Sequence, residues 1–144
     1  MQELQELIKT LDRPIRISKW FNSGKAFSYT YDGVDHLTKI TYPDASTVNY
    51  TYNCCNLTQV QDRNGTLKFS YDNLGRTANF TNYDNKVISY SYDSEGNLTT
   101  LTYPDSKKVN YAYDTDNRLI KLTDWLGNLT SYNYDLRGNL SFSA

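Results

Sequence analysis

The sequence is poor in the residues on which catalysis and metal binding most often depend. Its 144 residues include one histidine, His36, and two cysteines, Cys54 and Cys55, which are adjacent. Adjacent cysteines give neither a Cys-x-x-Cys motif nor the spacing of metal ligands, and a disulfide between them would close a strained ring. We interpret them as two thiols in a turn. His36 falls at a predicted turn position, and we interpret it as an exposed side chain without a catalytic partner.

The charge balance and the hydropathy of the sequence exclude further classes of protein. Lys plus Arg number 15 and Asp plus Glu 16, so the chain lacks the basic surface of a nucleic-acid-binding protein. No apolar run approaches the ~18 residues that span a membrane, and the polar start of the chain is no secretory signal peptide. A hydrophobic content of 38% is low for a thick core and suits sheets with one face in water.

What the sequence has in abundance is an internal repeat. Tyr-x-Tyr or Phe-x-Tyr recurs at intervals of 21, 19, 21, 21 and 21 residues, about five and a half copies in all. A fixed period in this range predicts one supersecondary unit stacked on copies of itself. The copies begin at Tyr29, Tyr50, Phe69, Tyr90, Tyr111 and Tyr132.

One copy, from Tyr90 onward, predicts two strands and two tight turns. The run after Tyr92 is Asp-Ser-Glu-Gly-Asn-Leu, in which Asp bonds to its own backbone and Gly96 supplies the positive φ of a type I turn with a bulge. Leu98 to Tyr103 is predicted as a strand, Tyr103-Pro-Asp-Ser as a second turn, and Lys108 to Tyr113 as the returning strand. Each repeat is therefore a hairpin of strands of about six to eight residues.

One copy, from Tyr50 to Phe69, is shorter than the others by two residues. One deletion falls at Cys54-Cys55 and the other near Asn64-Gly65, both at predicted turns, where changes of length are tolerated. In the copy that follows Tyr113, Asn117 replaces the turn glycine, and asparagine also adopts positive φ.

Along the returning strand, Val109, Tyr111 and Tyr113 share one face, while Lys108 and the residues that alternate with them face water. The tyrosine face predicts an aromatic ladder across strands. It has two interpretations: the rings form the apolar face that the sheet buries, which we favour, or they form an exposed ladder that stacks sugars. The ladder residues are Tyr90, Tyr92, Tyr111, Tyr113, Tyr132 and Tyr134.

The repeated phrase resembles the YD-repeat (Rhs) family over about residues 12–144. The matching strings begin at five Tyr-Asp pairs, and several continue Asp-x-x-Gly. The signature residues are Tyr31, Asp32, Tyr71, Asp72, Gly75, Tyr92, Asp93, Gly96, Tyr113, Asp114, Tyr134, Asp135 and Gly138. In this family, which includes bacterial polymorphic toxins, shell components of insecticidal toxin complexes and teneurins, similar β-hairpins spiral into a hollow shell.

The resemblance implies a fold and a role. The expected fold is all-β, a repetitive antiparallel β-hairpin meander that forms an arc of a YD-repeat shell, in an extracellular or cell-surface protein. The Asp-Pro-x-Gly motif at which relatives cleave themselves is absent from the sequence, so neither self-cleavage nor toxicity is expected of this chain.

The first residues predict a different element. Leu4, Leu7, Ile8 and Leu11 follow helical spacing, and Pro14 ends the helix. We expect residues 1–13 to form a helical cap and residues 14–144 to form the repeat array.

These observations favour a protein that is not an enzyme and needs no cofactor or metal. The recurrent aspartates are explained as turn residues, ahead of catalysis or calcium binding. The leading hypothesis is a non-catalytic wall element whose partners are further repeats or a second copy, joined through open sheet edges. The alternative is a surface module that binds carbohydrate or protein through the tyrosine ladder. Neither nucleic acid nor a membrane span is expected.

Overall fold

The structure is a computed structural model that describes residues 21–22 and 25–141, with side chains from Ala26 onward. All of the regular secondary structure in these residues is β-strand, in antiparallel pairs, so the prediction of an all-β meander is confirmed. The predicted helix over residues 1–13 lies outside the described residues. No helix in the described part of the chain is long and apolar enough to cross a membrane.

The chain divides after Lys68 into two compact units. The first contains β1 to β6 and the start of β7, and the second contains the end of β7 and β8 to β15. The strands that begin in the first unit are β1 Phe21–Asn22, β2 Lys25–Ala26, β3 Ser28–Tyr31, β4 Leu37–Thr41, β5 Thr47–Asn53, β6 Asn56–Asp62 and β7 Gly65–Tyr71. Those that follow are β8 Thr77–Thr81, β9 Val87–Tyr92, β10 Leu98–Thr102, β11 Lys108–Tyr113, β12 Leu119–Thr123, β13 Leu129–Ser131, β14 Asn133–Tyr134 and β15 Leu140–Ser141.

Within each unit, strands pair with their neighbours in the sequence. In the first unit β3 to β6 pair in chain order, and β1 and β2 form a separate hairpin. In the second unit β8 to β13 pair in chain order, and β14 and β15 form a separate hairpin. Strand β11 has the predicted bounds, whereas β10 ends one residue before the predicted Tyr103. The strands of the regular repeats are five to seven residues long, slightly shorter than predicted.

The two deletions of the shortened copy are accommodated by shorter turns, as expected. Strands β5 and β6 are joined by Cys54 and Cys55 alone, because Asn53 pairs with Asn56. Strands β6 and β7 are joined by two residues in the same way, because Asp62 pairs with Gly65. Both cysteines are free and exposed, in agreement with their interpretation as turn thiols.

The apolar face of the second unit is built from cross-strand pairs. Tyr90 and Val109 both pair with Leu101, and Tyr111 pairs with Leu122. Val109, at 6% exposure, is the one buried hydrophobic residue among the described residues. The alternation along β11 is as predicted, but the tyrosine rings are half-buried rather than enclosed. The fold therefore depends on lateral pairing of strands far more than on a closed core.

The opposite face carries polar side chains that bond across strands. The Asn79 amide donates to the Ser70 hydroxyl at 2.9 Å, and the Ser89 hydroxyl donates to the Asn79 carbonyl oxygen at 2.7 Å. The Thr100 hydroxyl donates to the Asn110 side chain at 3.2 Å. Asn110 is one of the residues of β11 that were expected on this face, beside Lys108.

Candidate functional site

The turns that follow Tyr-Asp have one recurrent geometry. In the copy headed by Asp93, the Asp93 N–H donates to the Asn97 carbonyl at 3.0 Å, and the Gly96 N–H donates back to the Asp93 carbonyl at 3.3 Å. Gly96 has φ 95°, and Asn117 takes the same place in the next copy with φ 60°. The strand register then shifts between Leu98 and Thr100, which is the predicted bulge.

The aspartate at the head of each Tyr-Asp turn holds the turn with its side chain. In the copy headed by Asp114, oxygen Oδ1 accepts the N–H groups of Asp116 and Arg118, both at 2.9 Å. Asp32, Asp72 and Asp135 accept the corresponding pairs of N–H groups at 2.8–3.0 Å. The interpretation of these aspartates as turn residues is therefore supported directly by their contacts.

The second oxygen of each aspartate binds the side chain four residues later. Asp72 Oδ2 accepts from Arg76 Nε at 2.7 Å, and the Arg76 guanidinium lies 4.6 Å from the centre of the Tyr92 ring. Arg76 also donates to the Asp93 carbonyl at 2.9 Å, so one side chain joins two consecutive turns. Arg118 repeats the arrangement, with Asp114 at 2.7 Å and the Tyr134 ring at 5.0 Å.

In four copies the second tyrosine of Tyr-x-Tyr donates a hydrogen bond to a backbone carbonyl of the preceding copy. The Tyr113 hydroxyl donates to the Leu98 carbonyl at 3.0 Å, a separation of 15 residues. The same bond recurs at the same separation in three further copies: Tyr52 to Leu37, Tyr92 to Thr77 and Tyr134 to Leu119, at 2.8–3.1 Å. We call this recurrent set of contacts the clasp. It consists of the aspartate of Tyr-Asp, the side chain four residues later, the second tyrosine of the following copy, and the carbonyl to which that tyrosine donates.

The clasp perturbs the acids that form it. Partial burial raises the pKa of Asp72, but the N–H and guanidinium of Arg76 outweigh it, so the pKa lies below its ordinary value of 3.8. For Asp114 the Arg118 N–H is the largest influence, and it also lowers the pKa. Burial raises the pKa of the Tyr92 and Tyr113 phenols. Both effects favour the charged aspartate and the neutral tyrosine that the clasp uses.

His36 is half-buried, not exposed as its turn position suggested. It occupies the place of Arg76 and Arg118: its Nδ1 lies 3.0 Å from Asp32 Oδ2, and its ring stacks on Tyr52 with centroids 4.5 Å apart. Sequence reasoning overlooked this position in every copy. The signal was nevertheless present, because Asp is followed at the fourth residue by His36, Arg76, Asn97, Arg118 or Asn139.

The clasp divides the six tyrosines of the predicted ladder into two groups, according to whether the hydroxyl donates to a backbone carbonyl. The hydroxyls of Tyr92, Tyr113 and Tyr134 donate to backbone carbonyls, so they cannot also donate to a ligand. Tyr90, Tyr111 and Tyr132 are half-buried like their neighbours. The use of this ladder in binding stays a prediction.

The second turns, at the other end of the hairpins, border clefts. One cleft in the first unit, of about 440 Å³, lies between the turn at Pro43 and the turn at Arg63. In the second unit a cleft of about 530 Å³ is lined by Lys86, Tyr103 and Trp125. No group of three or more His, Cys, Asp or Glu side chains that could hold a metal occurs in the described residues.

The strands and clasps of the described residues define the class of protein: a β-hairpin repeat protein whose hairpins are joined by Tyr-Asp clasps. Residues 71–108 match the family model described as RHS Repeat, which confirms the resemblance to the YD-repeat family. No curated protein matches the chain.

Solved structures share the fold. The crystal structure of TcdB2-TccC3-Cdc42 is similar with a TM-score of 0.67 and 15% identity, over 81% of this chain and 7% of that chain. TcdB2-TccC3 without its hypervariable C-terminal region gives a TM-score of 0.63 and 19% identity, over 82% and 8%. A Photorhabdus luminescens Tc holotoxin pore with a TccC3 mutation gives a TM-score of 0.51 and 16% identity, over 81% and 9%. This chain thus spans less than a tenth of the length of those it resembles.

Proposed function

We propose that this chain is a non-catalytic structural module that forms part of the wall of a toxin-type repeat shell. The observation that carries the proposal is the clasp, which recurs in register and ties each hairpin to the next. The similarity of the fold to TcdB2-TccC3 chains supports the assignment of this wall to a toxin-type shell.

The energetics of the clasp suit a wall. A net hydrogen bond contributes about 1 kcal/mol, and an Arg stacked on an aromatic ring about 0.5–1 kcal/mol at a partly exposed site. In repeat proteins such neighbour terms add along the array. A sheet stabilised in its own plane keeps two accessible faces, as a container wall requires, whereas a closed core would cover one of them.

The partners that fit this role are further repeats or a second copy of the chain. Every residue of β13, Leu129–Ser131, is exposed, and the nearby side chains of Leu126 and Leu136 are exposed as well. An exposed strand pairs readily with another strand, which buries such side chains.

A chimaera tests the proposal. In the TcdB2-TccC3 protein, residues 25–141 of this chain would replace the segment on which they superpose. We expect the chimaera to assemble and to keep the protease resistance of the parent shell, measured by limited proteolysis and negative-stain imaging.

The matched control is the same chimaera with Tyr92, Tyr113 and Tyr134 changed to Phe, which removes only the three clasp hydroxyls. We expect this variant to be digested faster. A first chimaera that assembles but leaves the interior open to protease contradicts the wall proposal.

The alternative, a surface module that binds through the tyrosine ladder, has weaker support. Three of its six hydroxyls already donate to backbone carbonyls, which leaves them unavailable as donors to a ligand. The two functions separate in Tyr111→Ala and Tyr113→Ala: a binding ladder loses ligand and keeps its fold, whereas a structural ladder unfolds.

A further inference from the structure

The turn between β5 and β6 differs from the Tyr-Asp turns, although it follows a Tyr-x-Tyr as they do. Asn53 stands where those turns have aspartate. It pairs with Asn56, so Cys54 and Cys55 alone form the turn. Cys54 has φ 40°, a conformation for which two-residue hairpin turns favour glycine or asparagine. Neither the clasp nor the turn geometry therefore accounts for two cysteines at this place.

The turn holds the two thiols side by side in solvent. The Cys55 N–H donates to the Asn53 carbonyl, and the pairing of Asn53 with Asn56 closes the ladder at the base of the turn. The Cys54 thiol donates to Cys55 Sγ with the two sulfurs 3.1 Å apart, and both residues are exposed and free. This hydrogen bond is the largest influence that raises the pKa of the Cys55 thiol above its ordinary value of 9.0. The turn thus presents a dithiol that is oriented before a ligand binds.

The separation of the sulfurs discriminates between ligands. A disulfide brings its sulfurs to about 2.0 Å, which adjacent cysteines reach only through a strained ring. Two thiolates on a tetrahedral zinc, each about 2.3 Å from the metal, lie about 3.8 Å apart, and zinc needs further ligands. No group of three or more His, Cys, Asp or Glu side chains that could supply them occurs in the described residues. The observed 3.1 Å lies between these limits and suits a pyramidal centre whose two bonds to sulfur stand nearly at a right angle.

We propose that Cys54 and Cys55 form a chelating site for trivalent arsenic, as arsenite or as a monoorganic arsenical. Trivalent arsenic is pyramidal and soft, and it exchanges oxygen ligands for sulfur. As each bond forms, the thiol proton passes to an arsenic hydroxyl, the As–O bond breaks, the As–S bond forms and water leaves. Neither sulfur nor arsenic changes its oxidation state, so no oxidant is required. The site uses neither the clasp nor the tyrosine ladder, and it does not depend on the wall function.

Phenylarsine oxide tests the site on the whole chain, reduced and then freed of reductant. By intact-protein mass spectrometry we expect one phenylarsenic group per chain, with both thiols lost to a thiol reagent. Excess 2-mercaptoethanol, a monothiol, should leave the adduct in place, whereas 2,3-dimercaptopropanol, which chelates arsenic, should remove it. An adduct that the monothiol removes is held by one sulfur and overturns the proposal.

Cys54→Ser and Cys55→Ser are the matched variants, because each removes one sulfur and keeps a polar side chain in an exposed turn. We expect each to bind about a hundredfold more weakly than the parent, since two linked bonds gain at least that much over one. The circular dichroism spectrum should be unchanged in both. Binding by either folded variant with the affinity of the parent contradicts a chelate.

Two further measurements test whether the fold sets the geometry of the site. In concentrated urea the parent should bind phenylarsine oxide about tenfold more weakly, because the unfolded chain no longer orients the thiols. A zinc titration of the folded parent against a chromophoric chelator should show no tight binding, since the turn supplies two of the four ligands that zinc takes. Equal affinity in urea, or tight binding of zinc, overturns the proposal.

Discussion

The two kinds of turn in this chain share a backbone geometry and differ in their side chains. In the Tyr-Asp turn at Asp93 and the second turn at Tyr103, the N–H of the head residue donates to the carbonyl four residues later, at 3.0 and 2.8 Å. Both then place a residue with positive φ, Gly96 at 95° and Ser106 at 66°. The backbone therefore does not require aspartate at the head of the turn.

What distinguishes the Tyr-Asp turns is the contact that they make with the next copy. An aspartate can fix the side chain four residues later at either end, as Asp124 fixes Asn128 in one second turn. In the Tyr-Asp turns that side chain also packs on the tyrosine of the next copy, as Arg118 does on Tyr134. In the second turns at Pro43 and Pro104 the aspartate lies two residues after the head and bonds locally, for example Asp44 to Ser46. One end of each hairpin thus joins repeats, and the other is free to vary and to acquire residues such as Trp125.

The largest test of this difference removes a ring at each end. Tyr113→Ala deletes a clasp hydroxyl and half-buried aromatic surface, and we expect a loss of about 2–4 kcal/mol in the free energy of unfolding. Tyr103→Ala, at a second turn, should cost less than half as much because its ring meets the half-exposed Trp125 edge to face and its hydroxyl makes no clasp bond. Urea denaturation measures both. Equal losses would contradict the distinction.

A smaller loss is expected from the turn backbone. Gly96→Ala places a β-carbon at φ 95°, a conformation that costs L-residues about 1–2 kcal/mol. The added atom would otherwise lie in open space, with the nearest neighbour, Arg76 Nη1, at 4.0 Å, so backbone strain is the only cost. Gly33→Ala is the control, since its φ lies outside the positive range and nothing lies within 4 Å. A thermal melt in which both variants behave alike would show that turn strain is unimportant.

Removal of the clasp hydroxyl alone should lower the free energy of unfolding by a still smaller amount. Tyr113→Phe leaves the ring in place and removes the bond to the Leu98 carbonyl, with an expected loss of about 1 kcal/mol. Tyr90→Phe is the matched control: its ring is half-buried on β9, two strands away, and its hydroxyl has no hydrogen-bond partner among the described residues. If the two Phe variants melt together, the hydroxyl bond does not stabilise the hairpins.

Much of this architecture could be predicted from the sequence. The 21-residue period, the Asp-x-x-Gly turns and the alternation along Lys108 to Tyr113 arise from local rules of turn and strand chemistry, and the structure follows them. Local rules also predicted where the two deletions fall, at Cys54-Cys55 and Asn64-Gly65.

The contacts between copies could not be predicted in the same way. The bond from Tyr113 to Leu98 spans 15 residues, and its acceptor lies where the strand register shifts, between Leu98 and Thr100. His36 was interpreted as exposed because its sequence neighbours are turn residues, whereas its packing partner, Tyr52, belongs to the next copy. Periodicity identifies which residues recur, but the partner across strands becomes visible only when the register is known.

The smallest expected effect is the change of thermal stability at acidic pH. Asp114 and Asp105 both have a pKa below 3.8, Asp114 chiefly through the Arg118 N–H and Asp105 chiefly through the Lys107 side chain. Since their folded-state pKa values are depressed, these carboxylates stabilise the fold above pH about 4, and the stabilisation is lost as pH falls through the folded values. The parent should keep a constant Tm from pH about 7 to 5 and then lose stability below pH about 4.

The stabilisation by the two carboxylates should differ in its dependence on salt. Asp105 is 53% exposed and pairs with the half-exposed ammonium of Lys107, whereas Asp114 is 20% exposed and accepts two backbone N–H bonds. Salt at about 1 M screens exposed ion pairs and leaves N–H bonds largely intact. Asp114→Asn should therefore flatten the acid limb of the Tm profile at both low and high salt, and Asp105→Asn only at low salt. Identical salt dependence in the two variants would mean that both carboxylates act as simple surface charges, and that the Tyr-Asp turn has no special hold on its aspartate.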